Sequence, residues 1–111
     1  MDAQRIKGHV DALLLATLSH GPLHGYGVIT EMRARTDGAV DLPEGTVYPA
    51  LHKLERAGLI ASAWDETAAR RRRTYTLTDA GHAALASERA SWRRFSRGID
   101  GLLAFPTEAR A

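Results

Sequence analysis

The chain contains no cysteine, and that absence removes disulfides, thiolate zinc sites and cysteine nucleophiles together. Long apolar runs are missing as well. The longest, Ala12 to Ala16, falls far short of the roughly 20 residues that a membrane-spanning helix needs. The opening residues, MDAQRIKGHVD, carry acids early and lack a cationic start followed by an apolar stretch. They do not read as a secretion signal, and the expected compartment is the cytoplasm. No Ser/His/Asp order, phosphate-binding glycine loop, paired carboxylate motif or metal-ligand cluster can be found. This argues against an enzyme, a cofactor and a bound metal. His20 and His24 have the separation of a helical ligand pair, but Gly21 and Pro22 interrupt any helix between them.

What remains is 111 residues, 44% hydrophobic and 25% charged. That is one globular domain with a modest core, for which help from a partner subunit is expected. The net charge of +2 says little about partners. Its distribution says more: Arg70, Arg71, Arg72 and Arg73 stand together, and Arg89, Arg93, Arg94 and Arg97 follow later. Of the 15 basic residues 13 are arginine, the side chain whose planar fork suits phosphates and guanine edges.

The stretch HVDALLLATLSHGP places Val10, Leu13, Leu14 and Leu18 on one helical face and ends at Gly21-Pro22. A second helix is predicted to start at Leu23 or His24, with Tyr26, Ile29 and Met32 inward and Asp37-Gly38 as its stop. Gly25 and Gly27 within it each cost about 1 kcal/mol relative to alanine, which points to close backbone packing there against a neighbour or against a phosphate. In the third predicted helix, LPEGTVYPALHKLERAGLI, the residues Val47, Leu51 and Leu54, flanked by Ala50, form the buried stripe. Thr46, Pro49, His52, Lys53 and Arg56 point away. Pro49 lies early enough to remove at most one internal hydrogen bond. Gly58 is the expected left-handed cap. LIASAW and TYTLT then alternate as strands and predict a hairpin with a basic tip, with Trp64 as a lid between hairpin and helices. A long helix from Asp79 to about Ala104, capped by Thr78, would span about 39 Å. Along it Leu85, Trp92 and Ile99 recur every seven residues, and Glu88, Phe95 and Leu102 fill the complementary positions. Such a stripe outruns the small domain before it and calls for a second subunit. The tail from 105 to 111 shows no pattern.

Three helices followed by a hairpin form the order of a winged helix-turn-helix, a mainly α fold with a small β-hairpin, here with a long C-terminal dimerisation helix. The expected division is a DNA-binding domain at 1–78, a dimerisation helix at 79–104 and a frayed tail at 105–111. PEGTVYPALHKLERAGLI closely resembles the signature of the PadR family of transcriptional regulators. RRRRTYTLTDAG resembles its wing and the start of its C-terminal helix, and HGYG matches the entrance of its second helix. The resemblance runs from about Val10 to Leu103, and the single C-terminal helix is similar to that of the family's small subclass. It implies a homodimer joined through the final helix, binding a palindromic operator in double-stranded DNA and acting as a repressor released by a small-molecule effector. One departure stands out. Where the family often caps the third helix with serine or threonine, this chain has Pro43-Glu44, and Asp41 is the suggested substitute cap.

The candidate DNA-binding residues are His24 and Tyr26 at the entrance of the second helix, Thr46, Tyr48, Pro49, His52 and Lys53 on the third, and Arg71 and Arg73 in the wing. Tyr48 is expected to offer its hydroxyl to a phosphate, Lys53 to reach guanine or phosphate, and Pro49 to touch a thymine methyl. Alternation along the strand selects Arg71 and Arg73 from the arginine run. Leu85, Trp92, Phe95, Ile99 and Leu102 are the candidate dimer contacts, and Trp92 and Phe95 the candidate walls of a pocket for a planar aromatic effector. The rival reading is a winged-helix protein-interaction module without DNA binding. Such a module usually loses the basic wing and the polar third-helix face, both of which are retained here.

Overall fold

The structure, a computed structural model, describes residues 7–66 and 71–104. The tail beyond Ala104, the first six residues and Arg70 at the wing tip lie outside the described residues. A short 3-10 turn, Lys7–His9, leads into α1 (Val10–Leu18). Then come β1 (Leu23–His24), α2 (Gly25–Arg35), α3 (Glu44–Arg56), β2 (Ile60–Asp65), β3 (Arg72–Leu77) and α4 (Asp79–Leu103). The order is that of a winged helix, mainly helical with a small antiparallel sheet.

The core forms where α1, α2 and α3 meet. Leu14, Leu15 and Leu18 of α1 pack with Val28, Ile29 and Met32 of α2 and with Val47, Leu51 and Leu54 of α3. Each set repeats at three- and four-residue intervals, so each helix turns one apolar stripe inward. Tyr26 departs from the expected inward set and is half exposed. The inward positions are Gly25, Val28, Ile29 and Met32, and one residue beyond Gly25 the helix has already turned Tyr26 about 100° away from them. Thr17, a buried polar residue, satisfies its hydroxyl by donating to the Leu13 carbonyl at 2.7 Å.

The sheet has three strands, in the order β1-β3-β2, where the sequence reading anticipated only a two-stranded hairpin. Leu23 pairs with Tyr75 and His24 with Thr74. A two-residue strand is too short to show any periodicity, and only the pairing reveals it. The added strand ties the wing to the entrance of α2, as a hairpin too weak to stand alone requires. In β2 and β3, Ile60 and Tyr75 turn into the core. Trp64 is set opposite Arg73 and is half exposed. It carries arginines on its ring and is no lid over the helices.

The third helix keeps its shape from Glu44 to Arg56 with Pro49 inside it. Its N-cap is Pro43, which offers no side-chain cap. The Pro43 carbonyl instead accepts from the N–H groups of Thr46 and Val47. Asp41 does not cap, because Arg33 of α2 holds its carboxylate at 3.1 Å. Gly58, at φ 80°, ends the helix as expected. At the head of α4, Thr78 accepts from the Gly81 N–H at 3.1 Å and donates to the Gly58 carbonyl at 2.7 Å. A Cβ on Gly81 would lie 2.0 Å from the Leu59 carbonyl oxygen, so the long helix reaches its seat on the β2 entrance only because this position has no side chain.

Gly81→Ala is therefore expected to lower stability by at least about 1–3 kcal/mol, read as a fall in the midpoint of urea unfolding. Gly45→Ala, where nothing lies within 4 Å of the added carbon, is expected to raise it by up to about 1 kcal/mol. Equal midpoints for the two variants would contradict this seat for α4.

Candidate nucleic-acid interface

Burial of Val47, Leu51 and Leu54 decides what α3 shows to solvent. At 100° per residue, the line opposite this stripe runs through Gly45, Pro49, His52 and Arg56, flanked by Thr46 and Lys53. All six are exposed. Helix continuity past Pro49 leaves the Gly45 carbonyl without its usual partner, on the wet side where water can serve it.

Lys53 is exposed but engaged. Its Nζ donates to Asp11 Oδ2 of α1 at 2.9 Å. An ion pair this open to solvent contributes about 0–1 kcal/mol, so it restrains the lysine without disabling it. Tyr48 is half buried, and its ring lies against the start of α2: a Cβ on Gly25 would sit 2.4 Å from Tyr48 Cε1 and 2.7 Å from its hydroxyl oxygen. The predicted close packing at Gly25 is this contact. Tyr48 therefore combines packing with a hydroxyl delivered to the N-terminus of α2.

The wing comes to the same place. A cavity of about 560 Å³ is lined by His24, Gly25 and Tyr26 from the α2 entrance, Tyr48 from α3, and Trp64, Arg71, Arg72, Arg73 and Tyr75 from the wing. Arg71 and Arg73 both lie over the Trp64 ring, at 4.5 and 5.3 Å from its centroid. Arg71 also approaches Glu66 at 3.8 Å. Such stacking keeps the guanidinium planes ordered while their edges stay in water. Arg73 further donates to Ser62 Oγ at 2.8 Å, and Ser62 donates to Glu55 Oε2. This relay joins β3 through β2 to α3 and sets the wing against that helix. Arg72, which the alternation argument passed over, places Nη1 3.0 Å from His24 Nε2. The pairing of His24 with Thr74 brings it there, and no signal in the sequence announced that pairing.

Tyr75 is buried beneath this cavity. Burial pushes its hydroxyl above the usual range against the opposing pull of Arg73, with Glu55 and Tyr48 adding to the rise. Among the described residues no group of three or more His, Cys, Asp or Glu side chains is placed to hold a metal ion.

The expected effector walls lie elsewhere, on α4. A second cavity of about 410 Å³ opens between α1 and α4, lined by His9, Ala12, Leu13 and Ala16 on one side and Leu85, Glu88, Arg89, Trp92 and Arg93 on the other. Trp92 meets His9 edge-on at 5.3 Å and Phe95 at 5.7 Å. Phe95 backs the tryptophan and does not line the cavity. The expected dimer contacts divide. Leu85 is 2% exposed and belongs to the chain's own core, because the first turns of α4 lie on α1 and β3, and its surface is not available to a partner. Ile99 is half buried. Trp92, Phe95 and Leu102 are 47%, 56% and 82% exposed, joined by Leu103 at 77%.

Comparison with known proteins decides the family. The model of the transcriptional regulator PadR-like family matches residues 14–87. The chain belongs to this family. It is therefore a transcriptional regulator with a winged-helix DNA-binding fold, and the family's members are not enzymes. Among solved structures, a transcriptional regulator from Clostridium thermocellum is 28% identical with a TM-score of 0.84, over 93% of this chain and 98% of that one. A PadR family regulator from Eggerthella lenta is 30% identical with a TM-score of 0.76, over 91% and 87% of the two chains. A transcriptional regulator of Mycobacterium tuberculosis is 42% identical over 57 residues, 51% of this chain and 53% of that protein. The matched span ends within α4, ahead of Trp92 and Phe95.

Two outcomes follow for this PadR-like chain. Asp11→Ala frees Lys53 and is expected to tighten DNA binding by up to about fivefold at low salt, measured by fluorescence anisotropy; weaker binding would show that the ion pair orders the lysine usefully. Because the folded state raises the Tyr75 pKa, its contribution to stability is complete below the ordinary tyrosine value of about 10 and is lost as pH rises through the folded value. Tyr75→Phe should flatten the alkaline fall in stability, which urea titrations at pH 9 to 11 would detect.

Proposed function

We propose that this PadR-like protein is a homodimeric, sequence-specific DNA-binding repressor that recognises a palindromic operator and acts in the cytoplasm. The observation that carries the reading is the convergence of three basic wing side chains, the α2 entrance and Tyr48 around one cavity beside the outward face of α3. In this reading Thr46, Pro49, His52 and Lys53 read or flank base edges in the major groove. His24, Tyr26, Tyr48, Arg71 and Arg73 hold the adjoining backbone. Residues 1–78 form the DNA-binding unit and 79–104 the dimerisation helix. Trp92, Phe95, Ile99 and Leu102 meet a second copy of α4, since Trp92, Phe95 and Leu102 stay largely exposed among the described residues. Two recognition helices then stand about 34 Å apart, one turn of duplex.

The cavity between α1 and α4 is the proposed effector site, and its ligand is a planar aromatic molecule stacking on Trp92. It shares α1 with the Asp11–Lys53 pair. A ligand that moves α1 against α4 therefore has a route both to the dimer spacing and to a recognition-face lysine. The alternative, a protein-interaction module, is favoured by no feature of this surface.

The test is selection of bound duplexes from a random pool, followed by anisotropy titrations of the winning sequence at several salt concentrations. A palindromic consensus is expected, with log affinity falling against log salt by about 0.9 per phosphate neutralised. His52→Ala should weaken binding by about 1–3 kcal/mol and relax one position of the consensus. Absence of salt-dependent binding would transfer the chain to the interaction-module class. Leu102→Asp should convert the dimer to monomer in sedimentation and weaken operator binding in parallel. An unchanged sedimentation coefficient would remove α4 from the interface.

A further inference from the structure

The contact between His24 and Arg72 does not close as a hydrogen bond. His24 is the N-cap of α2, and its Nδ1 accepts from the Gly27 backbone N–H at 3.1 Å. That backbone donor cannot give up its proton, so Nδ1 is the bare nitrogen and Nε2 carries the ring hydrogen. Arg72 Nη1 lies 3.0 Å from Nε2, and a guanidinium in a protein is a donor only. Two N–H groups therefore face each other. The other tautomer moves the conflict to Gly27, since a neutral imidazole has a single lone pair for two donors. A protonated ring accepts from neither.

We propose that His24 and Arg72 form a phosphate-oxygen site, in which one anionic oxygen accepts from His24 Nε2–H and the Arg72 guanidinium together. The surroundings favour it. Both side chains border the 560 Å³ cavity with Tyr48, Arg71 and Arg73, and the first turn of α2 contains no acid. The helix contributes the positive end of its dipole. Asp65 is paired with Arg72 across the ladder, and its negative charge opposes an anion at this site, so the two donors and the helix dipole must outweigh it. The β1–β3 register sets His24 opposite Thr74, two residues from Arg72; an oxygen bound between the two side chains gives both donors an acceptor. The source is a DNA backbone phosphodiester beside the groove that α3 would enter. Arg72 thereby joins the contact set that alternation had assigned to Arg71 and Arg73. This inference rests on the DNA-binding reading for its source of phosphate, while the site itself does not.

The experiment has two arms. In the first, operator affinity is followed across salt concentrations for the full-length protein, Arg72→Gln and His24→Asn. Asparagine retains an oxygen to cap Gly27 but loses the ring donor. Arg72→Gln is expected to bind roughly tenfold more weakly, with the salt slope reduced by about 0.9. His24→Asn should bind several-fold more weakly with its slope unchanged, because a neutral donor displaces no counterion. Thermal melts of both variants report whether the fold is kept. In the second arm, inorganic phosphate is titrated without DNA while the His24 ring and Arg72 side-chain nitrogens are followed by NMR, against sodium chloride at matched ionic strength. Saturable shifts at both residues with phosphate only, and an Nε2–H tautomer for His24, support the site. Saturable phosphate shifts in a protein that binds no duplex would retain the site and sink the DNA reading. Salt-sensitive operator binding with Arg72→Gln indistinguishable from the parent, or a His24 proton found on Nδ1, would overturn the site and leave the DNA reading standing.

Discussion

The burial of one apolar stripe on α3 is the constraint from which the rest follows. Val47 and Leu51 are fully covered and Leu54 nearly so, and each such side chain contributes about 1.5–3 kcal/mol when removed from water. Rotation of α3 about its axis would forfeit that burial, so the helix has a single permitted orientation. Its outer line of Gly45, Pro49, His52 and Arg56 is consequently held toward solvent by forces acting on the opposite side. This separation lets the outward residues be chosen for contact with a partner. A proline there costs one hydrogen bond and no core packing.

The same orientation delivers Tyr48 to Gly25 and thereby joins recognition helix, α2 entrance and wing. Gly25 cannot carry a side chain without displacing the Tyr48 ring, and His24 next to it caps α2 while pairing with Thr74 of β3. Glu55, Ser62 and Arg73 make a second link between α3 and the wing. None of these polar contacts is strong on its own in water. Together they fix where three wing arginines sit relative to the outward face of α3, and in the proposed DNA-binding reading that placement matters more than their individual energies.

The long helix divides into two halves with different physics. Its first turns are anchored by the Thr78 cap and the bare Gly81 position, and Leu85 is absorbed into the core. Its later turns carry Trp92, Phe95, Leu102 and Leu103 into solvent. These side chains are the surface that the proposed second copy of α4 would cover, and the cavity between α1 and α4 sits at the boundary between the anchored and the projecting halves.

Helix periodicity, glycine stops and the alternation of β2 and β3 were readable along the chain because they depend on neighbours within about four residues. From these came the winged-helix order, the buried stripe of α3, the Thr78 cap and the outward set on α3. The strand β1, the ion pairs that engaged Lys53 and Asp41, the placement of Leu85 in the core and the approach of Arg72 to His24 were not readable. Each depends on a partner distant in sequence: Thr74 for His24, Asp11 for Lys53, α1 for Leu85. Local pattern determined which residues of α1 and α3 face in, and misplaced Tyr26 of α2. Only the tertiary fold decided which outward residues meet each other, because that follows from how helices and strands with satisfied interiors are stacked, a matter on which periodicity carries no information.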